Sequence, residues 1–415
     1  MQLTTPRVQR LAGESFFWLT GHRSWYNATG LDAIRRVLVF RPDEVGDVIL
    51  SSAFLRELRH NLPNAEITLV VKRNSYNLVE LCPYVNRILL HPIDSSYPEH
   101  WKPFERWQWT WAKHKKALAF ARANLWREHF DLAIYLRLDA DYYDASFLTY
   151  ASGARGRMAY SEHTSAHKAL MNQGFDTYFT QRLDAPPLKH EVERNLAFIQ
   201  ALGGRIESDE LELWTSVEDA AFAEHALGSS PSLWVAMGPG ARVPRRVWSI
   251  ENFTMLARWL REMYGVKLVV LGSPNEKNLG DTLASELGEG VLNLVGQTTL
   301  RQAAEILKRC ALYIGNDSAP LHLAAAAGVP VVEISCHPLN ASPTHPNSPL
   351  RFGPWHVPNV ICRPAAPIPP CHDGCEKHFA PHCILQVTVE QVMQGARELL
   401  EAHRSLVQEP LYAAG

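Results

Sequence analysis

The chain has 415 residues, of which 46% are hydrophobic, and a formal net charge of −2. At roughly 150 residues per domain, that length predicts two or three domains. The near-neutral balance provides no global basic field for nucleic acid, so any anion must be held by local groups. No stretch reaches the roughly 18 apolar residues of a membrane span, and the first residues lack the apolar core of a signal peptide, so a cytoplasmic protein is expected. Seven cysteines, an odd number, do not read as a secreted disulfide framework.

Residues 1–35 form an N-terminal extension. Between Arg7 and Trp25 it mixes arginines with Phe16, Phe17, Trp18 and Trp25. Two readings fit: a helix packed on its own domain, or one lying on a membrane surface. From Arg36 onward the apolar runs RVLVF, EITLVV, RILL and DLAIYL alternate with helical patterns. Such alternation predicts a parallel sheet covered by helices on both faces, here over residues 36–215. An insertion at about 91–130 interrupts it, with Trp101, Trp107, Trp109 and Trp111 among lysines and arginines. These rings either stack on a sugar, base or membrane, or pack on the domain. After the small-residue stretch TSVEDAAFAEHALGSSP the scheme repeats over residues 216–388 with SLWVAMG, KLVVLG, VLNLVG, ALYIG and VPVVEIS. A last helix, VTVEQVMQGARELLEAHR, opens the segment 389–415. The expected fold is therefore α/β, with two doubly wound domains.

Four stretches carry chemistry. In RPDEVGDVILSS a strand runs through a glycine turn into a helix, a layout that often holds phosphate. Here the turn carries Asp43, Glu44 and Asp47, and a carboxylate that suits the helix dipole would repel a phosphate in the same place. In MGPGARVPRRVWS, Gly238 and Gly240 allow close backbone approach, and Arg242, Arg245 and Arg246 supply forked donors. In ALYIGNDSAPLHLAAAAGVPVVEIS, Ser318 suits an N-cap and Pro320 the first helical turn, leaving N–H groups for an anion beside Asp317 and His322. In CRPAAPIPPCHDGCEKHFAPHC, the spacing of Cys362, Cys371, Cys375 and Cys383 admits a tetrahedral four-thiolate site, with His372, His378 and His382 as spare ligands. Free structural thiols are the alternative. The Asp139-Ala140-Asp141 triplet matches a short metal-binding pattern, and a three-residue match of this kind is expected often by chance.

The order and spacing of RPDEVGDVILSSAFLRELRHNLPNAEITLVV, HEVERNLAFIQALG, MGPGARVPRRVWS, LGSPNE and IGNDSAPLHLAAAAGVPVV resemble the family 9 glycosyltransferases, the ADP-heptose:lipopolysaccharide heptosyltransferases. The resemblance runs from about Arg36 to Leu400. It implies a GT-B architecture: an acceptor domain, a nucleotide-sugar domain and a last helix crossing back to the first. It also implies an inverting transfer of heptose from ADP-heptose to a lipopolysaccharide core or related acceptor, with Asp47 as general base. On the donor side it assigns Gly240 and Arg246 to the diphosphate region, Arg246 standing where the family usually has lysine. Glu276 falls to the ribose, Asp317 to the sugar hydroxyls, and Ser318, Ala319 and His322 to the surroundings of the diphosphate. No cofactor is required; zinc or iron at the cysteines would be structural.

The chain departs from the family on the acceptor side. It reads YLRLDAD, with Asp141 near the place of a family lysine, and it carries the Trp-rich insertion. Two further readings stay open: a related transferase with another nucleotide sugar or a protein or glycan acceptor, and a non-catalytic glycan-binding or assembly protein. The second would tolerate loss of Asp47.

Overall fold

The computed structural model describes residues 5–22, 30–93, 103–184, 189–228, 232–345, 347–373, 375 and 380–408. The chain divides into two compact units, Met1–Pro187 with Val192–Asp209, and Leu188–Glu191 with Glu210–Gly415.

The first unit is a parallel sheet of β1 (Arg36–Arg41), β2 (Glu66–Val71), β3 (Arg87–Leu90), β4 (Leu132–Tyr135), β5 (Gly156–Tyr160) and β6 (Gln181–Leu183), in the order β3-β2-β1-β4-β5-β6. The second contains β7 (Trp234–Gly238), β8 (Lys267–Val270), β9 (Val291–Asn293), β10 (Leu312–Asn316), β11 (Val331–Ile334) and β12 (Asn359–Cys362), in the order β12-β11-β10-β7-β8-β9. Counted from its own first strand, the second sheet has the same winding as the first. Central strands such as β4, β7 and β10 are buried along their whole length. That is why they read as continuous apolar runs, since helices cover both faces of a parallel sheet. The strands absent from the sequence reading are β5, β6 and β12. GRMAY, QRL and NVIC are short or polar, and β6 and β12 lie at sheet edges.

The segment anticipated as an insertion contains the helix Pro103–Asn124, which is the crossover from β3 to β4. Strand order reverses at that point, so a long connection is a requirement of the topology. Its inner face packs on the helix Ala145–Ala151 through His114, whose ring lies tilted against Phe147 at 4.4 Å, while Trp111 is exposed. Trp101 and the side chains of Trp107 and Trp109 lie outside the described residues.

The N-terminal helix Thr5–Leu19 packs on the first unit. Phe17 is buried against Tyr150 and Trp126, and the Tyr150 hydroxyl donates to the Arg10 carbonyl at 2.9 Å. Val8, Leu11, Trp18 and Leu19 on its other side remain exposed. Trp25 is outside the described residues. The last helix, Val389–Gln408, packs against β10, β11, β12 and the helix Ile250–Tyr264, placing Val392, Ala396 and Leu400 in the core of the second unit. Among the described residues no helix is long and apolar enough to cross a membrane.

Candidate active site

In a doubly wound sheet, ligands gather outside the carboxyl ends of the strands where the strand order reverses. These points lie between β1 and β4 in the first unit and between β7 and β10 in the second. Asp47 follows β1, Gly240 and Arg246 follow β7, and Asp317, Ser318, Ala319 and His322 follow β10, whereas Glu276 follows β8 and the cysteines lie at or after β12.

In the first unit, β1 ends in Arg41, and the turn Pro42-Asp43-Glu44 leads into the short helix Val45–Ile49. Glu44 occupies the N-cap without a side-chain cap bond, and Asp47 lies within the first turn. Arg41 is 1% exposed. Its guanidinium donates twice to the Asp47 carbonyl, at 3.2 and 3.1 Å, and lies 3.6 Å from the Asp47 carboxylate. The carboxylate itself retains 21% exposure. Ser51 also donates to the Asp47 carbonyl, at 2.7 Å, so the main chain of this turn is held from two sides.

Behind Asp47 lies a charged layer that the sequence reading did not anticipate. Asp43 is fully buried between Arg41, at 3.2 Å, and Arg137 from the loop after β4. Burial pushes the Asp43 carboxyl up, but the charges of Arg137, Arg41 and Lys72 together outweigh it, so the group ends below its usual range. Lys72, after β2, pairs with Glu44 at 2.7 Å and sits 3.9 Å over the Tyr143 ring. Burial disfavours the ammonium, but Glu44 and Tyr143 together outweigh this and raise its pKa. Charged residues at strand ends were the available signal: Arg41, Lys72 and Arg137 all follow apolar runs directly. Asp141, near the place of the family lysine, is an internal brace. Its carboxylate accepts from the Tyr143 N–H at 2.9 Å and the Ser146 N–H at 2.7 Å, which fixes the start of the helix Ala145–Ala151. Both acceptances stabilise a loop, and no metal-binding role for Asp139 and Asp141 is needed to explain them.

In the second unit, Asn316 at the end of β10 joins the motifs. It donates to the Pro239 carbonyl at 2.7 Å and accepts from the Trp248 N–H at 3.1 Å. One amide thus ties the glycine loop after β7 to the arginine turn and to the strand. The sequence reading passed over Asn316, although an Asn directly after a strand in GND was visible. Arg246, in the turn Pro244–Arg246, forms an ion pair with Asp317 at 2.9 Å and donates to Asn347 at 2.8 Å. Arg246 and Asp317, expected to serve different parts of a donor, are therefore direct partners.

The glycines have another use than the one expected. A Cβ at Gly238 would strike the Tyr313 hydroxyl, and one at Gly240 would strike the Glu276 side chain. The space at both is filled from within the protein. Glu276 closes the turn Pro274–Glu276 by accepting from the Ser273 N–H at 2.6 Å and the Ser273 hydroxyl at 2.9 Å.

Ser318 is the N-cap of the helix Ala319–Ala326, with Pro320 in its first turn, but its hydroxyl makes no cap bond and donates instead to the Asn316 carbonyl at 3.2 Å. The first-turn N–H groups are thereby left without this side chain as partner, and Ala319 adds no bulk over them. His322 is buried in the next turn, and burial lowers it to about 4, so the ring is neutral at pH 7. Glu333 at β11 is pushed up to about 8 by burial and then by Asp317, and it too is neutral there.

The cysteine site differs from the expected set. Cys371, Cys375 and Cys383 come together with His382, all ligand atoms within 4.8 Å of one another. Cys362 is not among them. It lies at the end of β12 with its thiol directed at the Gln391 carbonyl of the last helix, at 3.6 Å. A strand residue facing the core cannot also turn into the loop that follows. His378 is outside the described residues, and His372 is exposed.

The architecture is thus that of a protein with two Rossmann-like units, one presenting a carboxylate and the other a helix N-terminus with basic side chains. Residues 118–373 match the family profile of glycosyltransferase family 9 (heptosyltransferase). The chain is 23% identical over 376 residues to lipooligosaccharide heptosyltransferase 2 of Haemophilus ducreyi, covering 88% of this chain and 99% of that protein. It is 22% identical over 333 residues to the lipopolysaccharide core heptosyltransferase OpsX of Haemophilus influenzae, covering 80% and 85%. Among solved structures it resembles a family 9 glycosyl transferase from Veillonella parvula, with a TM-score of 0.69, 20% identity, and 89% and 98% of the two chains covered. Escherichia coli ADP-heptose lps heptosyltransferase II gives 0.63 at 20% identity, with 89% and 99% covered. The chain belongs to glycosyltransferase family 9, has the GT-B fold, and is a glycosyltransferase. The profile match begins after the Asp47 turn, so that turn stands on its own geometry.

Proposed function

We propose that this enzyme transfers heptose from ADP-heptose to a lipopolysaccharide core or related glycan acceptor, with inversion at the sugar C1 and Asp47 as general base. The observation that carries the reading is the Asp47 carboxylate: partly exposed at the switch point, its main chain clamped by Arg41 and Ser51. A base that removes a hydroxyl proton in the transition state must be fixed in direction yet reachable. The buried Asp43 between two arginines stiffens the strand end on which that turn is mounted.

On the donor side the departing diphosphate needs positive potential. The N-terminus of Ala319–Ala326 and the Arg246 fork supply it without a metal. Asp317 orients Arg246 and keeps its second oxygen for sugar hydroxyls. Glu276 accepts from ribose with the oxygen that Ser273 leaves unused. His322, neutral, adds no charge to the diphosphate site. Any metal at the cysteines serves the fold and not the transfer. The exposed Val8, Leu11, Trp18 and Leu19, with Arg7 and Arg10 on the same helix, support a cytoplasmic protein in peripheral contact with an anionic membrane.

Incubation of the purified enzyme with ADP-heptose and a heptose-deficient core oligosaccharide in EDTA tests the reading. The product should gain one heptose by mass, with inverted anomeric configuration. No transfer in chelator, restored by magnesium or manganese, would reject the metal-independent chemistry. Transfer only from other nucleotide sugars would reject the donor.

A further inference from the structure

We propose that Cys371, Cys375, His382 and Cys383 bind one tetrahedral metal ion of the zinc or ferrous type, which holds together the loop between β12 and the last helix. The inference rests on the reading above only for its link to the donor side; metal content is measured without reference to activity.

The ligand geometry fits. Thiolate and imidazole bonds of roughly 2.3 and 2.0–2.1 Å at tetrahedral angles give sulfur-to-nitrogen edges of about 3.5 Å and sulfur-to-sulfur edges of about 3.8 Å. His382 Nδ1 lies 3.7 Å from the Cys371 sulfur and 3.3 Å from the Cys383 sulfur. All four ligand atoms fall within 4.8 Å of one another, and the three cysteines are buried. Three buried thiols and a half-buried imidazole whose ligand atoms converge form a soft donor set that suits such a cation.

The surrounding chain needs a fastening. Between Cys362 and Val389 the described residues contain only one short helical turn, Cys383–Gln386, and the run is rich in proline. Cys371 and Cys383 sit at the two sides of this loop, and the Ile368 N–H points at the Cys383 sulfur at 3.4 Å, the kind of donation that orients a thiolate ligand. Closing such a loop through a metal removes unfolded-state freedom and converts binding energy into folding energy. The same turn reaches the donor side: the Trp248 indole donates to the Val387 carbonyl at 2.8 Å, and Trp248 lies two residues after Arg246. Loss of the metal should therefore weaken nucleotide binding indirectly, by loosening the turn that carries Arg246.

The test uses full-length protein without a histidine tag, purified without chelator. Elemental analysis should find about one zinc or iron per chain. A visible thiolate-to-iron charge-transfer band distinguishes iron from colourless zinc. X-ray absorption at that metal's edge should show three sulfurs and one nitrogen. Cys362→Ser should retain the metal, whereas Cys383→Ser should lose it. If Cys383→Ser does not fold, the absorption spectrum of the unmodified protein still decides the ligand set. Less than about 0.2 metal per chain, a first shell of four sulfurs, or loss of the metal in Cys362→Ser would overturn the proposal.

Discussion

The two units wind six strands in the same order, yet their switch points carry opposite chemistry. Between β1 and β4 the strand ends converge as a buried lattice of charge, Arg41, Asp43 and Arg137, with Asp47 at its open side. Between β7 and β10 they converge as glycine turns, a helix N-terminus and one ion pair, Arg246 with Asp317. Topology therefore fixes where a ligand site forms, and the loop residues alone decide what it binds.

The largest effect should come from removing the first half's chemistry while leaving its frame. Asp47→Asn keeps size and turn, and because the N-cap is Glu44 no cap is lost. Turnover should drop by roughly 10² to 10⁴ with ADP-heptose affinity unchanged or slightly higher. Turnover within a few-fold of the parent, in protein of unchanged melting temperature, would remove Asp47 from the mechanism.

Next comes the frame itself. Asp43→Asn leaves Arg41 and Arg137 facing each other in the interior. Breaking one member out of a buried charge group typically costs about 3–5 kcal/mol, read here by denaturant titration. The pH dependence adds a signature. Asp43 titrates below its usual value when folded, so its stabilisation is complete above the unfolded pKa near 3.8 and disappears as pH falls through the folded value. The parent should lose this increment on acidification, and Asp43→Asn should lack that loss. Equal acid sensitivity in both proteins would show that Asp43 does not carry the charge assigned to it.

The smallest effect concerns the second half. Arg246→Ala should weaken ADP binding by about 1.5–3 kcal/mol, the range for a charged hydrogen bond. Asp317→Ala should change it little on the proposed reading, in which Asp317 faces the sugar rather than the phosphates. Because the two residues are paired at 2.9 Å, the double mutant should bind ADP like Arg246→Ala alone. Additive losses in calorimetry would mean that Asp317 contributes to ADP binding independently of Arg246.

How much of this was legible beforehand follows from the range of the interactions involved. Strands that are buried on both faces announce themselves as apolar runs, so β1, β2, β4, β7, β8, β10 and β11 were readable, while QRL and NVIC gain strand structure only from their neighbours. The Trp-rich stretch read as an insertion because nothing local marks a helix as a crossover. Motif residues within one turn, such as Asp47 or Ser318 with Pro320, were also visible, since spacing alone places them on a helix start.

The sequence by itself determined the two-unit α/β plan, the location of both motif-bearing turns and the family to which they belong. Only the tertiary structure decided who touches whom: that Arg246 pairs with Asp317, that Asp43 sits between arginines 96 positions apart in the chain, that Gly240 makes room for Glu276, and that His382 takes the place expected for Cys362. The reason is physical. Helix and strand periodicity are local properties of a few neighbouring residues, whereas ion pairs, close glycine contacts and ligand clusters depend on distances set by how whole elements pack.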